Sequence, residues 1–357
     1  MIKRPILAFA ALAAFPCLLV RAQTVSENIG TGRQPMAVAV NEATNKAYIV
    51  NHNTNSLTVV DGKTRAAIAT IPTGAGPEGI AINTLTNRVY VANAGDSSVT
   101  VIDGSTDTVA ATVRTGSYPQ AVAVNPATNR IYVANNYGHS VTVIDGNTNA
   151  TTTVRVGQGP RAVVVNPVTN KIYTVNYGSK DATEIDGATN AAVSVPTGKH
   201  PWAIALDSRA NKTYVVNEDS ASISILDGAT GVTKNVTVGD IPFAVAVNPT
   251  TNKAYVLTYT GSTMAVIDGA SGTVTKTLSL ATHPSAIAVN PKTNQIYIAN
   301  QKTASVLVVD GKTNTITATV KAGSIPYAMA VDAAANQVYV ANMSSDNATL
   351  IHGLTSQ

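Results

Sequence analysis

Residues 119–148 read PQAVAVNPATNRIYVANNYGHSVTVIDGNT. Three runs rich in Val, Ile, Ala and Tyr are separated by Asn125-Pro126-Ala127-Thr128-Asn129, by Asn136-Tyr137-Gly138-His139 and by Asp145-Gly146-Asn147-Thr148. β-Branched and aromatic runs of this length, bounded by turn residues, are strands. In the first turn Pro presets φ and Asn129 accepts a left-handed conformation at low cost. In the last, the Asp145 carboxylate can accept backbone N–H bonds while Gly146 permits φ > 0. A fourth Thr/Val run follows and ends near a glycine, as Ala111-Thr112-Val113-Arg114-Thr115-Gly116 does one unit earlier.

The unit recurs eight times. Its opening proline stands at Pro35, Pro77, Pro119, Pro160, Pro201, Pro242, Pro284 and Pro326, always 41 or 42 residues apart. The matching tyrosines are Tyr48, Tyr90, Tyr132, Tyr173, Tyr214, Tyr255, Tyr297 and Tyr339, and the turn aspartate recurs from Asp61 to Asp310 with His352 in the eighth slot. Four short strands every 42 residues predict an all-β propeller of eight four-stranded blades. Alanines two and four residues after the proline (Ala121 and Ala123, Ala203 and Ala205) suit first strands that crowd around the axis, with both blade faces packed on neighbours. The last unit, Pro326 to Gly353, has only three strands. Thr24–Gly30 aligns with a fourth strand, so pairing of the two chain ends is expected to close the ring and cover the open edges.

The segment Met1–Ala22 reads as a cleaved export signal: Lys3 and Arg4, an apolar run from Pro5 to Val20, then Val20-Arg21-Ala22. Pro16 interrupts the run, which is too short for a membrane span. The sole cysteine, Cys17, lies inside it. A lipoprotein anchor there would want a small residue just before the cysteine, where Pro16 stands. The expected organisation is signal 1–22, one propeller over 23–353 and a short tail 354–357, in the periplasm or secreted, with no membrane span after cleavage. Lys3, Arg4 and Arg21 are three of the 24 basic residues, which leaves 21 against 20 acidic ones in the propeller. Its near-neutral balance gives no support for nucleic-acid or membrane binding. With no cysteine left, disulfides and thiol chemistry are excluded from the propeller.

Repeated Tyr-Val-Ala-Asn (Tyr90–Asn93, Tyr132–Asn135, Tyr339–Asn342), with Val-Ile-Asp-Gly and Pro-x-Ala-Val-Ala-Val-Asn-Pro, resembles the YVTN-repeat β-propellers, exported or surface-layer proteins of bacteria and archaea. The motif drifts to Tyr173-Thr174-Val175-Asn176 and Tyr255-Val256-Leu257-Thr258. The resemblance implies a propeller that binds or scaffolds. Some relatives are linked to nucleic acids, and some related propellers carry haem or act on lactones. It also brings seven blades as the alternative to the eight counted here.

Repetition is an internal control: constant positions serve packing, and departures are the functional candidates. Beside the fixed tyrosines, the propeller carries Tyr118, Tyr137, Tyr177, Trp202, Phe243, Tyr259 and Tyr327. All fall at loops of one face, those between the second and third strands or between blades. His52, His139, His200 and His283 fall there too, as does Arg161. Aromatics and imidazoles gathered on one loop face of a rigid scaffold predict a binding site. His200 and His283 occupy equivalent slots and are the candidates for metal or haem ligation, though no ligand spacing supports a site. Glu184 stands where other units hold Val, Ile or Leu, and is expected to be partly buried, in need of a partner and a candidate acid or base. Basic loop residues on this face (Arg33, Arg161, Lys180, Lys199, Lys302) are outnumbered by acidic ones, which argues against single-strand nucleic-acid binding.

The sequence thus points to an exported cell-envelope propeller acting as a non-catalytic binding or scaffolding protein for a small ligand or envelope partner, with no cofactor and no catalytic residue assigned. The alternative is a lactonase-like hydrolase or a haem- or quinone-type carrier. For hydrolysis, Glu78, Glu218, Asp219 and His200 lie on the right face without a spacing that makes them a set.

Overall fold

A computed structural model describes residues 25–280 and 283–353; the signal segment lies outside the described residues. Thirty-two strands form eight antiparallel four-stranded sheets arranged as the blades of a ring. Blade 3 is typical: Pro119–Asn125, Arg130–Asn135, Ser140–Asp145 and Thr151–Arg155 pair in sequence order from the axis outward. The count is eight, not seven. Blade 8 takes its outer strand from the other end of the chain, where Val25–Gly30 pairs antiparallel with Asn347–His352. Ile29 is buried in that seam, and Thr349 Oγ1 donates to Asn28 Oδ1 at 2.9 Å.

Second and third strands are buried along nearly their whole length. Both faces of a blade meet a neighbour. Tyr48, Val50, Leu57 and Val59 of blade 1 pack with Val89, Val91 and Ile102 of blade 2 in one cluster, against which Ala37 of the first and Ile80 and Ile82 of the second also pack. Small residues on one face and branched ones on the other let wedge-shaped sheets converge. All eight repeat tyrosines are at most 2 % exposed, and burial raises the hydroxyl pKa of Tyr90, Tyr132 and Tyr255. Each fully buried Val, Leu or Ile side chain is worth about 1.5–3 kcal/mol, so the seams hold the ring together.

The Asp-Gly turns cap as expected, but the glycine acts differently. Asp145 Oδ1 accepts from Asn147 N at 2.9 Å and Thr148 N at 3.0 Å, and such bonds hold these aspartates below the usual carboxylate range. Gly146 does not adopt positive φ; Asn149, three residues on, does. Gly146 is needed because a Cβ there would sit 2.4 Å from Asn129 Oδ1. The reason is close approach, not backbone freedom.

That Asn129 belongs to a hydrogen-bonded belt. Asn83 Nδ2 donates to Asn129 Oδ1 at 2.7 Å, from the end of one blade's first strand to the next blade's turn. The same bond joins Asn41 to Asn87, Asn125 to Asn170, Asn166 to Asn211, Asn248 to Asn294 and Asn290 to Asn336, at 2.8–2.9 Å. It is interrupted where Asp207 and Asp332 replace Asn. The Oδ2 atoms of both, and Oδ1 of Asn252 and Asn45 opposite, are buried without a donor.

On the same face, a basic residue reaches the next blade's Asp-Gly carbonyl: Lys46 Nζ to Gly104 O at 3.0 Å, Arg130 to Gly187 O at 2.6 Å. Glu184 breaks this pattern. It is half-buried and paired with Lys171 Nζ at 3.1 Å, and Lys171 also reaches Asp186 at 3.2 Å. Lys171 turns back onto its own blade, and Glu184 and Gly228 of the next blade line a cavity of about 270 Å³ at that seam.

Two outcomes follow from this architecture. Deleting residues 23–32 should lower the melting temperature sharply, because blade 8 loses its outer strand; an unchanged transition would refute the closure. Asp207→Asn should stabilise the fold by about 1 kcal/mol in chemical denaturation by restoring the belt. A neutral result would mean that the Asn252 amide is turned to donate to Asp207.

Candidate functional site

The residue after each anchoring proline is set apart by the backbone. In every blade, pairing of the first and second strands slips there: Pro119 pairs with Asn135 but Ala121 with Ala134, leaving Gln120 unmatched. A bulge re-aims its side chain away from the ladder. These eight slots hold Met36, Glu78, Gln120, Arg161, Trp202, Phe243, Ser285 and Tyr327. No two are alike in a chain that otherwise repeats itself, and all eight line one of two adjoining cavities at the axis.

The larger cavity, about 430 Å³, is walled by Trp202, Phe243, Tyr259, Tyr327 and Ile241 and carries Arg161 and Glu218. The second, about 280 Å³, shares Arg161, Trp202 and Tyr327 and adds Met36, Glu78 and Gln120. Both fall near the size range of small-molecule sites, about 300–1,000 Å³. The residue before each proline is left-handed throughout, although only Gly76 and Gly159 are glycines. Ile241 at φ 50° and Ile325 at φ 52° are β-branched outliers. Strain of this kind, about 1–3 kcal/mol per residue, persists where the surrounding structure holds it and gathers at ligand sites.

Arg161 is the electrostatic centre. Its guanidinium carbon lies 3.3 Å from the centre of the Trp202 ring, a cation–π contact. Burial lowers its pKa, while Tyr327, Glu78 and Glu218 oppose that; an arginine stays charged regardless. Among the described residues no carboxylate is within ion-pair distance of it; the ion pairs are Lys46–Asp107, Lys171–Glu184, Lys171–Asp186 and His200–Asp219. Glu78 is engaged elsewhere: the Tyr118 hydroxyl donates to its Oε1 at 2.8 Å, which pushes the Tyr118 pKa up to about 12.

The other candidates extend outward from the cavity as stacks. Tyr177 meets Trp202 edge-on at 5.8 Å and stacks on His200 at 4.6 Å; His200 Nδ1 is held by Asp219. Phe243 and Tyr259 are edge-on at 6.1 Å, and His283 is edge-on to Tyr259 at 5.3 Å. Tyr137 lies on Tyr118 at 4.5 Å. So Trp202, Phe243, Tyr259, Tyr327 and Arg161 line the cavity, and Tyr118, Tyr137, Tyr177, His200 and His283 buttress it. His52 and His139 serve their loops: His52 Nδ1 is 3.2 Å from Pro77 O, and His139 Nδ1 accepts from Gly159 N at 3.1 Å. His200 and His283 belong to separate stacks, and no three metal-ligating side chains gather among the described residues. Glu184 lies at the blade 4–5 seam, in a cavity that shares no lining residue with these two.

Met36, Gln120, Ile241, Ser285 and Gln301 also line these cavities and carry no aromatic signal. For Met36, Gln120 and Ser285, the signal was the eightfold variation of one repeat position.

An eight-bladed propeller with a charged, aromatic cavity on its axis is thus the class of protein defined by fold and site. The family model of the YNCE-like beta-propeller matches residues 78–277, and the chain belongs to that family. A search of curated proteins gave no match. Among solved structures, the chain is similar to Kuenenia stuttgartiensis hydrazine synthase, with 17 % identity, TM-score 0.64, and coverage of 90 % of this chain and 96 % of that one. It is also similar to dihydro-heme d1 dehydrogenase NirN in complex with DHE, with 13 % identity, TM-score 0.74, and coverage of 96 % and 78 %. At these identities the likeness is one of fold.

Replacing Glu78 by Gln removes the charge that suppresses Tyr118 ionisation. In ultraviolet titration a tyrosine transition near 12 should move toward the ordinary value of about 10. A wild-type titration indistinguishable from the variant would contradict the Tyr118–Glu78 bond.

Proposed function

We propose that this protein is an exported, non-catalytic binding propeller of the cell envelope that holds a small ligand in its axial cavity. One observation carries the reading: eight equivalent positions of a repeating chain hold eight different side chains, and all face one composite cavity. Packing alone would favour the same residue in each blade, as it does for the tyrosines. The mixture of a stacked cation, carboxylates and aromatic walls suits selective binding. Export rests on the N-terminal signal pattern.

A cofactor-carrying reading has one observation in its favour. The carboxylate of Asp219 fixes Nδ1 of His200, the arrangement that orients a metal-ligating imidazole. The propeller likeness to NirN, whose structure holds DHE, is compatible with a tetrapyrrole ligand.

Native mass spectrometry with an absorption spectrum, on protein purified from its host's envelope, tests both. A colourless adduct that is lost in Trp202→Ala/Phe243→Ala, with the fold retained, is the expected result. A visible chromophore lost with His200→Ala would favour the carrier. An adduct unaffected by the double variant would displace the site from the axis.

A further inference from the structure

Arg161 and Glu218 line the same cavity of about 430 Å³, yet are not paired with each other. Each is fixed. Arg161 is pinned against Trp202. Glu218 opens a 3-10 turn, Glu218–Ser220, and its backbone N donates to His200 O at 3.0 Å, holding that turn against the neighbouring loop. Among the described residues, neither side-chain charge has an ion-pair or hydrogen-bond partner within the protein. Two opposite charges in one half-buried cavity would ordinarily pair, since an uncompensated charge away from water is unfavourable. Here Arg161 lies on Trp202 instead and no such pair forms. The rest of the cavity is walled by Phe243, Tyr259, Tyr327 and Ile241. In the adjoining cavity, which shares Arg161, Gln120 Oε1 is buried without a donor and is a further acceptor.

We infer that the axial cavity is specific for a small zwitterion with an apolar side group, such as a free amino acid of the phenylalanine or leucine type. The carboxylate would take the planar fork of Arg161, which matches it in bidentate fashion. The ammonium would face Glu218, and the side group would lie on the aromatic wall. A ligand with one charge leaves the other protein charge unanswered, and such mismatches discriminate strongly. This inference deepens the proposed function and rests on it.

The test is calorimetric titration of the purified mature chain with L-phenylalanine, N-acetyl-L-phenylalanine, which lacks the cation, and phenethylamine, which lacks the carboxylate. L-Phenylalanine should bind best, with each analogue weaker by about 10- to 100-fold, the range for a lost hydrogen bond to a charged group. Arg161→Met should bring L-phenylalanine down to the level of phenethylamine. Glu218→Gln should bring it down to that of N-acetyl-L-phenylalanine. Arg161→Lys, which keeps the charge without the fork, should retain part of the preference, and unchanged melting temperatures would show that the variants fold. Equal binding of the three compounds, binding of none, or a Glu218→Gln variant that discriminates as before overturns the inference. If mass spectrometry then finds an axial adduct lacking one of the two charges, the binding reading stands and only the zwitterion is lost.

Discussion

Burial of both faces of every blade is the constraint on which this molecule depends. No blade can stand alone in water, because Tyr, Val and Ile cover both of its sides. Each is stable only between two neighbours, so the chain must return on itself. The short strand Val25–Gly30, paired with Asn347–His352, turns an open stack into a ring. The asparagine belt and the Lys/Arg contacts to the Asp-Gly carbonyls set the register of one blade on the next. At Asp207, Asp332 and Glu184 that register is locally incomplete, yet the seams persist because burial supplies most of the stability.

A ring fixed from outside gives a rigid axis, and rigidity makes the binding face possible. Ile241 and Ile325 are held left-handed, a conformation a free chain would leave. The bulge after each proline removes one side chain per blade from the ladder and turns it inward. Structure and variation are thereby separated at a single residue. The proline before it is constant and the residue after it is alanine in all blades but one, while this position differs in every blade.

The site's electrostatics follow from the same rigidity. A flexible pocket would let Arg161 close on Glu218. Stacking on Trp202, itself braced by Tyr177 and His200, keeps the guanidinium where it is. Tyr118, Tyr137 and Tyr177, which help to mark this face in the sequence, support the residues that line the cavity: Tyr177 meets Trp202, and Tyr118, packed on Tyr137, holds Glu78.

Spacing and residue type determined the architecture. Eight prolines 41 or 42 residues apart, the tyrosine and Asp-Gly columns, and a last unit short by one strand were sufficient for eight blades and for closure by the chain ends. These are local and periodic properties, and a repeat writes them eight times. The aromatic bias toward one face was legible for the same reason, since strand order fixes which loops share a face. What the sequence could not show is how the units meet. Gly146 is read from sequence as a residue of free φ, but its role is to admit Asn129 of its own blade, within reach of Asn83 from the one before. Glu184 is an anomaly of one column until folding sets it beside Lys171 at a seam. Arg161, Trp202 and Glu218 stand 41 and 16 residues apart in pairs, with nothing in the chain to join them. Only the packing of one blade on the next brings them to one cavity, because contacts between neighbouring blades depend on the angle between them and not on distance along the chain.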